Sequence, residues 1–157
     1  MIKKTYQIIV SILVCQAAGL IGSIFTFSAI PSWYSTLNKP SFNPPNWLFG
    51  PVWTVLYVLM GIALYLVWQQ IRIDPRAKPA IILFLTHLIL NASWSIIFFG
   101  LQNIGLALVE LIVLWLMIIL VTRQFWQIKK LAAKLILPYL AWVTFAAVLN
   151  LALFILN

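Results

Sequence analysis

The sequence predicts an all-α membrane protein, a bundle of five transmembrane helices. Three observations predict it. Of 157 residues, 64% are hydrophobic and only 8% charged, too few polar groups to cover a soluble domain of this size. Apolar runs recur along the whole chain, each near the ~20 residues that cross a bilayer as helix. The basic residues, finally, collect between alternate runs. No stretch shows the alternation of lipid-facing and lumen-facing residues that a membrane strand requires.

The first span is expected over Tyr6–Ile30. Lys3 and Lys4 ahead of it imitate a cleaved signal, but the apolar run continues too far for a signal's apolar core. Its small residues Cys15, Gly19 and Ser23, with Ala18 and Gly22 beside them, permit close helix approach, either inside the bundle or across a homodimer seam. Cys15 is the only cysteine, so no internal disulfide forms, and it reads as a small apolar helix residue.

A lid loop, 31–46, comes next. Pro40, Pro44 and Pro45 remove backbone donors and fix φ, so the loop is stiff and no helix starts until Pro45 is passed. The second span is expected over Trp47–Gln70, with Pro51 in an early turn where its missing N–H costs little. The third follows over Pro79–Gly100, the fourth over Ile104–Trp126 and the fifth over Leu131–Leu156. Connections are short, so residues 1–157 should form a single membrane domain.

The formal net charge is +8. With five spans, the N-terminus and the second and fourth connections share one side of the membrane. That side holds Lys3, Lys4, Arg72, Arg76, Lys78, Arg123, Lys129, Lys130 and Lys134; the other holds Lys39 alone. By the positive-inside rule the N-terminus is cytoplasmic, and the lid and C-terminus lie outside. The charge is therefore a topology signal, reinforced by anionic lipid, and not a nucleic-acid surface. A short basic N-terminus and a bare C-terminus show no targeting sequence, so the expected location is a bacterial-type cytoplasmic membrane.

Polar groups at bilayer depth are costly unless they pair or serve a site. His87, Asn91, Trp94, Ser95 and Phe98 fall on one helical stripe, facing either neighbouring helices or a cavity. Asn91 and Ser95 suit interhelical hydrogen bonds as well as a pocket. His87 has no second histidine for paired haem ligation, which leaves a single axial ligand or a bond to a neighbouring helix. Glu110, in the fourth span, is read as a structural hydrogen-bonding group.

Trp33, Tyr34, Trp47, Trp68 and Trp126 lie near span ends, where aromatic belts form. Deeper, Trp53, Tyr57 and Gly61 repeat every four residues, and Tyr139, Trp142, Ala146 and Asn150 make a similar stripe. Flat rings alternating with small residues leave a slot with aromatic walls, and the stiff lid above it suits a flat, apolar ligand. No acid–base pair, nucleophile or metal cluster can be assembled from one histidine and two acids.

The stretches "WYSTLNKPSFNPPNWLFGPVWTVLYVLMGIALYLVW", "LNASWSIIFFG", "GLALVEL" and "LPYLAWVTFAAVLN" resemble the TspO/MBR family of translocator and tryptophan-rich sensory proteins. They occur in order from about Trp33 to Asn150. The resemblance implies a five-helix bundle, commonly a homodimer, that binds porphyrins and haem-type tetrapyrroles and also benzodiazepine-like drugs. No obligatory cofactor is implied; porphyrin or haem is the ligand. Carried onto this chain, the family's pocket maps to Trp53 and Trp142, to Asn91, Trp94 and Ser95, to Tyr34 and the Pro44–Trp47 region of the lid, and to Ala146. With the stripes above, the candidate ligand set also takes in Pro45, Tyr57, His87 and Phe98. The family's animal members are reputed to bind cholesterol through a basic residue after a tyrosine at the end of the fifth helix. Here no Lys or Arg follows Lys134, so that mode is not expected.

Three functions compete, beside a fourth, a scaffold or chaperone of other membrane proteins, that would leave the lid unexplained. A receptor or carrier uses the slot to hold a tetrapyrrole. A light-dependent porphyrin degrader uses Trp53 and Trp142 in electron transfer, the ligand and light supplying the chemistry. A translocator moves ligand across the membrane, although the chain lacks the internal repeats of secondary transporters.

Overall fold

The structure is a computed structural model that describes Ile2–Asn157, with side chains from Lys4 onward; Lys3 of the basic set is outside the described side chains. Five long helices and one short one follow in order: α1 (Ile2–Ala29), α2 (Trp33–Thr36), α3 (Asn46–Trp68), α4 (Ala77–Ser95), α5 (Ile104–Ile128) and α6 (Lys130–Leu156). A π-helical turn, Ile96–Gly100, extends α4. All five long helices are long and apolar enough to cross a membrane. No strand occurs among the described residues.

Boundaries follow local chemistry. Pro45, with φ −62° and ψ 140°, stands immediately before α3 and keeps the chain extended up to it. α4 starts two residues before the expected Pro79, because a proline in the first turn lacks only an N–H that would have no helical partner. Asn103 caps α5, its Oδ1 accepting from the Leu106 N–H at 2.9 Å. One extended residue, Lys129, separates α5 from α6, so these two helices are antiparallel neighbours along their length.

The helices ring a common axis in the order α1, α4, α5, α6, α3, and α3 closes back on α1. One end carries the lid, the α4–α5 connection and the C-terminus; the other carries the clustered basic residues. In a bilayer no hydrophobic force drives helices together, so association depends on close contact. At the basic end small side chains allow it: Ala77, Ala80, Ala132 and Ala133 are fully enclosed, and Phe84 stacks on Phe125 with centroids 5.6 Å apart. Gly61 presses on Ile12, where an added Cβ would come 2.6 Å from the Ile12 Cα.

The small residues of α1 are used within the bundle. Cys15 and Ala18 are buried, Gly19 lies against the Tyr57 ring and Gly22 against Ser95. Close approach inside the bundle, to α3 and α4, is therefore one use of that stripe.

Candidate functional site

A cavity of about 320 Å³ occupies the lid half of the bundle between α1, α3, α4 and α6, with Leu111 and Leu114 of α5 contributing to its wall. It opens between α1 and α3, where the lining residues Leu20, Phe27, Asn46, Gly50 and Thr54 are all exposed. Among the described residues no charged side chain lines it.

The base of the cavity is a hydrogen-bonded chain. The Tyr57 hydroxyl donates to Asn91 Oδ1 at 2.5 Å, and Asn91 Nδ2 donates to the Tyr139 hydroxyl at 3.0 Å. Three helices are joined this way through one asparagine. Above it, Trp53 stacks on Tyr57 at 5.4 Å and meets Tyr139 edge-on at 6.1 Å. On the α4 side Trp94 stacks on Phe98 at 5.0 Å, and its indole N–H donates to Asn150 Oδ1 at 3.3 Å. Asn150 Nδ2 in turn donates to the Ile104 carbonyl at 3.0 Å, which fixes the start of α5. On the α6 side Trp142 meets Phe49 edge-on at 6.1 Å.

The lid is tied down at both ends. Tyr34 is buried against Phe98 and Phe99, and its hydroxyl donates to Asn43 Oδ1 at 2.7 Å across the loop. Burial raises the Tyr34 phenol above its ordinary pKa, only partly offset by Asn43, so it stays a donor. Asn38 and Asn157 clasp reciprocally: the Asn38 N–H donates to Asn157 Oδ1 at 2.9 Å, and Asn157 Nδ2 donates to the Asn38 carbonyl at 3.0 Å. Phe42 adds a ring contact to Phe145 of α6 at 6.4 Å.

The π-helical turn helps build this roof. Its Leu101 N–H bonds to the Ile96 carbonyl at 2.8 Å, five residues back. Such turns widen a helix and recur at functional sites; here it carries Phe98 and Phe99, which both line the cavity. Gln102, with φ 54°, then turns the chain toward α5.

Of the residues expected at the site, Tyr34, Trp53, Tyr57, Asn91, Trp94, Ser95, Phe98, Trp142 and Ala146 lie on the cavity wall. Four do not. His87 is fully buried one turn below Asn91, between Phe84 and Tyr139, with Nδ1 bonded to the Phe84 carbonyl. Trp47 is 71% exposed, on the outward face of the first turn of α3, while Asn46, Phe49 and Gly50 turn inward. Pro44 and Pro45 shape the approach to α3 without touching the cavity. Glu110 pairs with a neighbouring helix, accepting from Ser93 Oγ at 3.2 Å.

Several wall residues escaped sequence reasoning. Gln16, whose Nε2 donates to the Thr54 carbonyl at 3.1 Å, braces α1 against α3 at the opening. Thr26 and Phe27 of α1 and Phe49 of α3 also line the cavity, and so does Asn150, which the sequence places on the α6 stripe. The signal was present on α1: Gly19 and Ser23 already lie on the cavity wall, and their register continues one turn on at Thr26 and Phe27.

Comparison with known proteins agrees with this architecture. The profile of the TspO/MBR family matches residues 11–156. The chain is 46% identical to the tryptophan-rich protein TspO of Archaeoglobus fulgidus over 152 residues, 96% of this chain and 97% of the relative. It is 40% identical to the translocator protein of Homo sapiens over 131 residues, 83% of this chain and 78% of the relative. A third relative, the tryptophan-rich sensory protein of Cereibacter sphaeroides, is 37% identical over 125 residues, 80% of this chain and 77% of the relative. Five apolar helices and a match over nearly the whole chain make this protein an integral, multi-pass membrane protein of the TspO/MBR family.

Proposed function

We propose that the protein is a membrane receptor or carrier that binds porphyrin or haem-type tetrapyrroles in the cavity beneath the lid, with benzodiazepine-like drugs as alternative occupants of the same space. The observation that carries this reading is an uncharged, aromatic-walled cavity under a roof stapled by Tyr34–Asn43 and Asn38–Asn157. Flat rings offer stacking surface to a flat ligand, each contact worth about 0.5–1.5 kcal/mol beyond burial. A lid already held in place loses little entropy on closing. The names of the relatives, translocator and sensory protein, fit a carrier or a receptor. The charge asymmetry supports a lid facing outside and a cytoplasmic N-terminus in a bacterial-type membrane.

A second reading has its own observation. Trp53 contacts both Tyr57 and Tyr139, a run of oxidisable rings leading away from the cavity. That arrangement supports light-dependent porphyrin degradation, with the ligand as photosensitiser.

One titration separates the two. Protoporphyrin IX added in the dark to purified protein should quench tryptophan fluorescence saturably. Trp53→Phe combined with Trp142→Phe should weaken that binding by about three- to tenfold; equal affinity in the double variant removes the slot assignment. The same sample is then illuminated. An unchanged pigment spectrum supports the receptor or carrier, whereas porphyrin bands lost only while Trp53 and Trp142 are intact support the degrader.

A further inference from the structure

The spanning helices hold one carboxyl, Glu110, and neither the cavity nor the lid uses it. We propose that Glu110 is a proton-binding site at the lipid boundary: it stays a neutral acid at neutral pH and is the residue that a membrane-soluble carbodiimide modifies. The site is independent of which ligand the cavity takes.

Glu110 stands about 9 Å along α5 from its first residue, well inside the apolar run. It leaves α5 beside the exposed Leu106, Val109 and Val113, and Ile89, one turn before Ser93 on α4, is exposed as well. The acid and its serine therefore bridge α4 and α5 on the side that meets lipid.

The surroundings of the carboxyl suit an acid better than an anion. Its Oε1 is bonded to Ser93 Oγ at 3.2 Å, and its Oε2 is enclosed with no partner among the described residues. The Ser93 hydroxyl also reaches the Leu90 carbonyl, at 2.8 Å, and has one proton for both acceptors. When Leu90 takes that proton, the contact with Glu110 holds only if the carboxyl itself donates. A carboxylate would then have no donor at all, and a bare ion at this depth is strongly disfavoured.

No cation offsets such a charge. Among the described residues the one ion pair is Arg76–Asp74, in the α3–α4 connection. Lys39 is engaged in the lid by the Ser35 and Leu37 carbonyls, and the clustered basic residues are at the opposite end of the bundle. On the helices packed against α5, Tyr139 of α6 faces Glu110 with a phenol, and His87 of α4 is held between Phe84 and Tyr139.

A carbodiimide reads this state directly. The carboxyl proton moves to one carbodiimide nitrogen and the carboxyl oxygen bonds to the central carbon, giving an O-acylisourea. The acyl group then shifts to a nitrogen, giving an N-acylurea that retains every atom of the reagent. Water would hydrolyse the first product instead, so a lasting adduct marks an acid that is protonated, reached from lipid and shielded from water.

The test incubates the full chain with dicyclohexylcarbodiimide at neutral pH in a non-ionic detergent and maps the adduct by mass spectrometry. An adduct is expected on Glu110, and Glu110→Gln should gain none. Asp74→Asn should be labelled as wild type is. Infrared absorption gives a readout without the reagent: the carbonyl band of a protonated carboxylic acid should be present in wild type at neutral pH and absent from Glu110→Gln. No adduct on Glu110, or no such band in wild type, overturns the assignment. Both wild-type readouts decide the matter even where Glu110→Gln fails to fold.

Discussion

At the basic end, Phe84 lies flat on Phe125 and four fully enclosed alanines let α3 to α6 meet without a gap. At the lid end the same helices stand apart around a cavity of about 320 Å³, and the space between them is crossed by hydrogen bonds such as Tyr57–Asn91–Tyr139 and Trp94–Asn150. Both halves are built from the same five apolar helices, yet they are held differently. Apolar side chains gain nothing by leaving lipid for protein, so helices that touch closely hold by dispersion, and helices that do not must hold by polar links. A hollow half is stable only if the other half is solid.

Two glycines on α3 test this contrast most strongly. Gly61→Val forces a side chain into the Ile12 backbone and should cost about 3 kcal/mol in detergent-induced unfolding. Gly50→Ala meets nothing within 4 Å at the opening apart from its chain neighbours; helix propensity favours it and the following Pro51 opposes it, so the net change should stay within about 1 kcal/mol. Equal losses at the two positions would break the comparison.

Removing the central polar link comes next. Asn91→Leu leaves the Tyr57 and Tyr139 hydroxyls without their shared partner and should cost about 1–2 kcal/mol. A loss near zero would mean that the lid half does not depend on its hydrogen bonds.

The lid should respond separately from the bundle. Asn157→Ala removes the clasp on Asn38, so protease cleavage within 31–45 should rise by about threefold, while the unfolding midpoint moves by less than about 0.5 kcal/mol equivalent. If the midpoint falls as far as it does for Asn91→Leu, lid and bundle unfold as one unit.

The smallest effect belongs to the basic end's surface. Arg76 forks onto Asp74, with Nε 3.0 Å from Oδ1 and Nη2 2.8 Å from Oδ2, and holds that carboxyl below its ordinary pKa. A lowered folded value means the contribution is complete above the unfolded carboxyl's pKa of about 4 and fades as pH falls through the folded value. Asp74→Asn should therefore be slightly less stable than wild type at neutral pH and indistinguishable from it in strong acid. A difference that grows on acidification contradicts this pairing.

Much of this was legible in single residues. Pro45 and Pro79 marked helix starts to within two positions, because a proline's missing N–H and fixed φ act locally. Spacing alone put Trp53 with Tyr57, and Trp142 with Ala146, on common faces. What spacing could not supply was depth. His87 shares a helical stripe with Asn91 and Trp94 yet lies below the cavity base, because that base is the Tyr57–Asn91–Tyr139 chain, made by three separate helices. Trp47 stands in the lid-to-helix stretch yet faces outward, since its direction depends on the turn at which α3 begins.

Composition and period, then, determined the helices, their number, and which faces carry rings and small residues; these are local or additive properties of a chain in lipid. Tertiary structure alone decided that the small residues of α1 pack on α3 and α4, that the α4 helix loosens into a π-helical turn at Ile96–Gly100, and that Asn157 reaches the lid. Each of these is a contact or accommodation between segments far apart in sequence, and its energy exists only once both partners are in place.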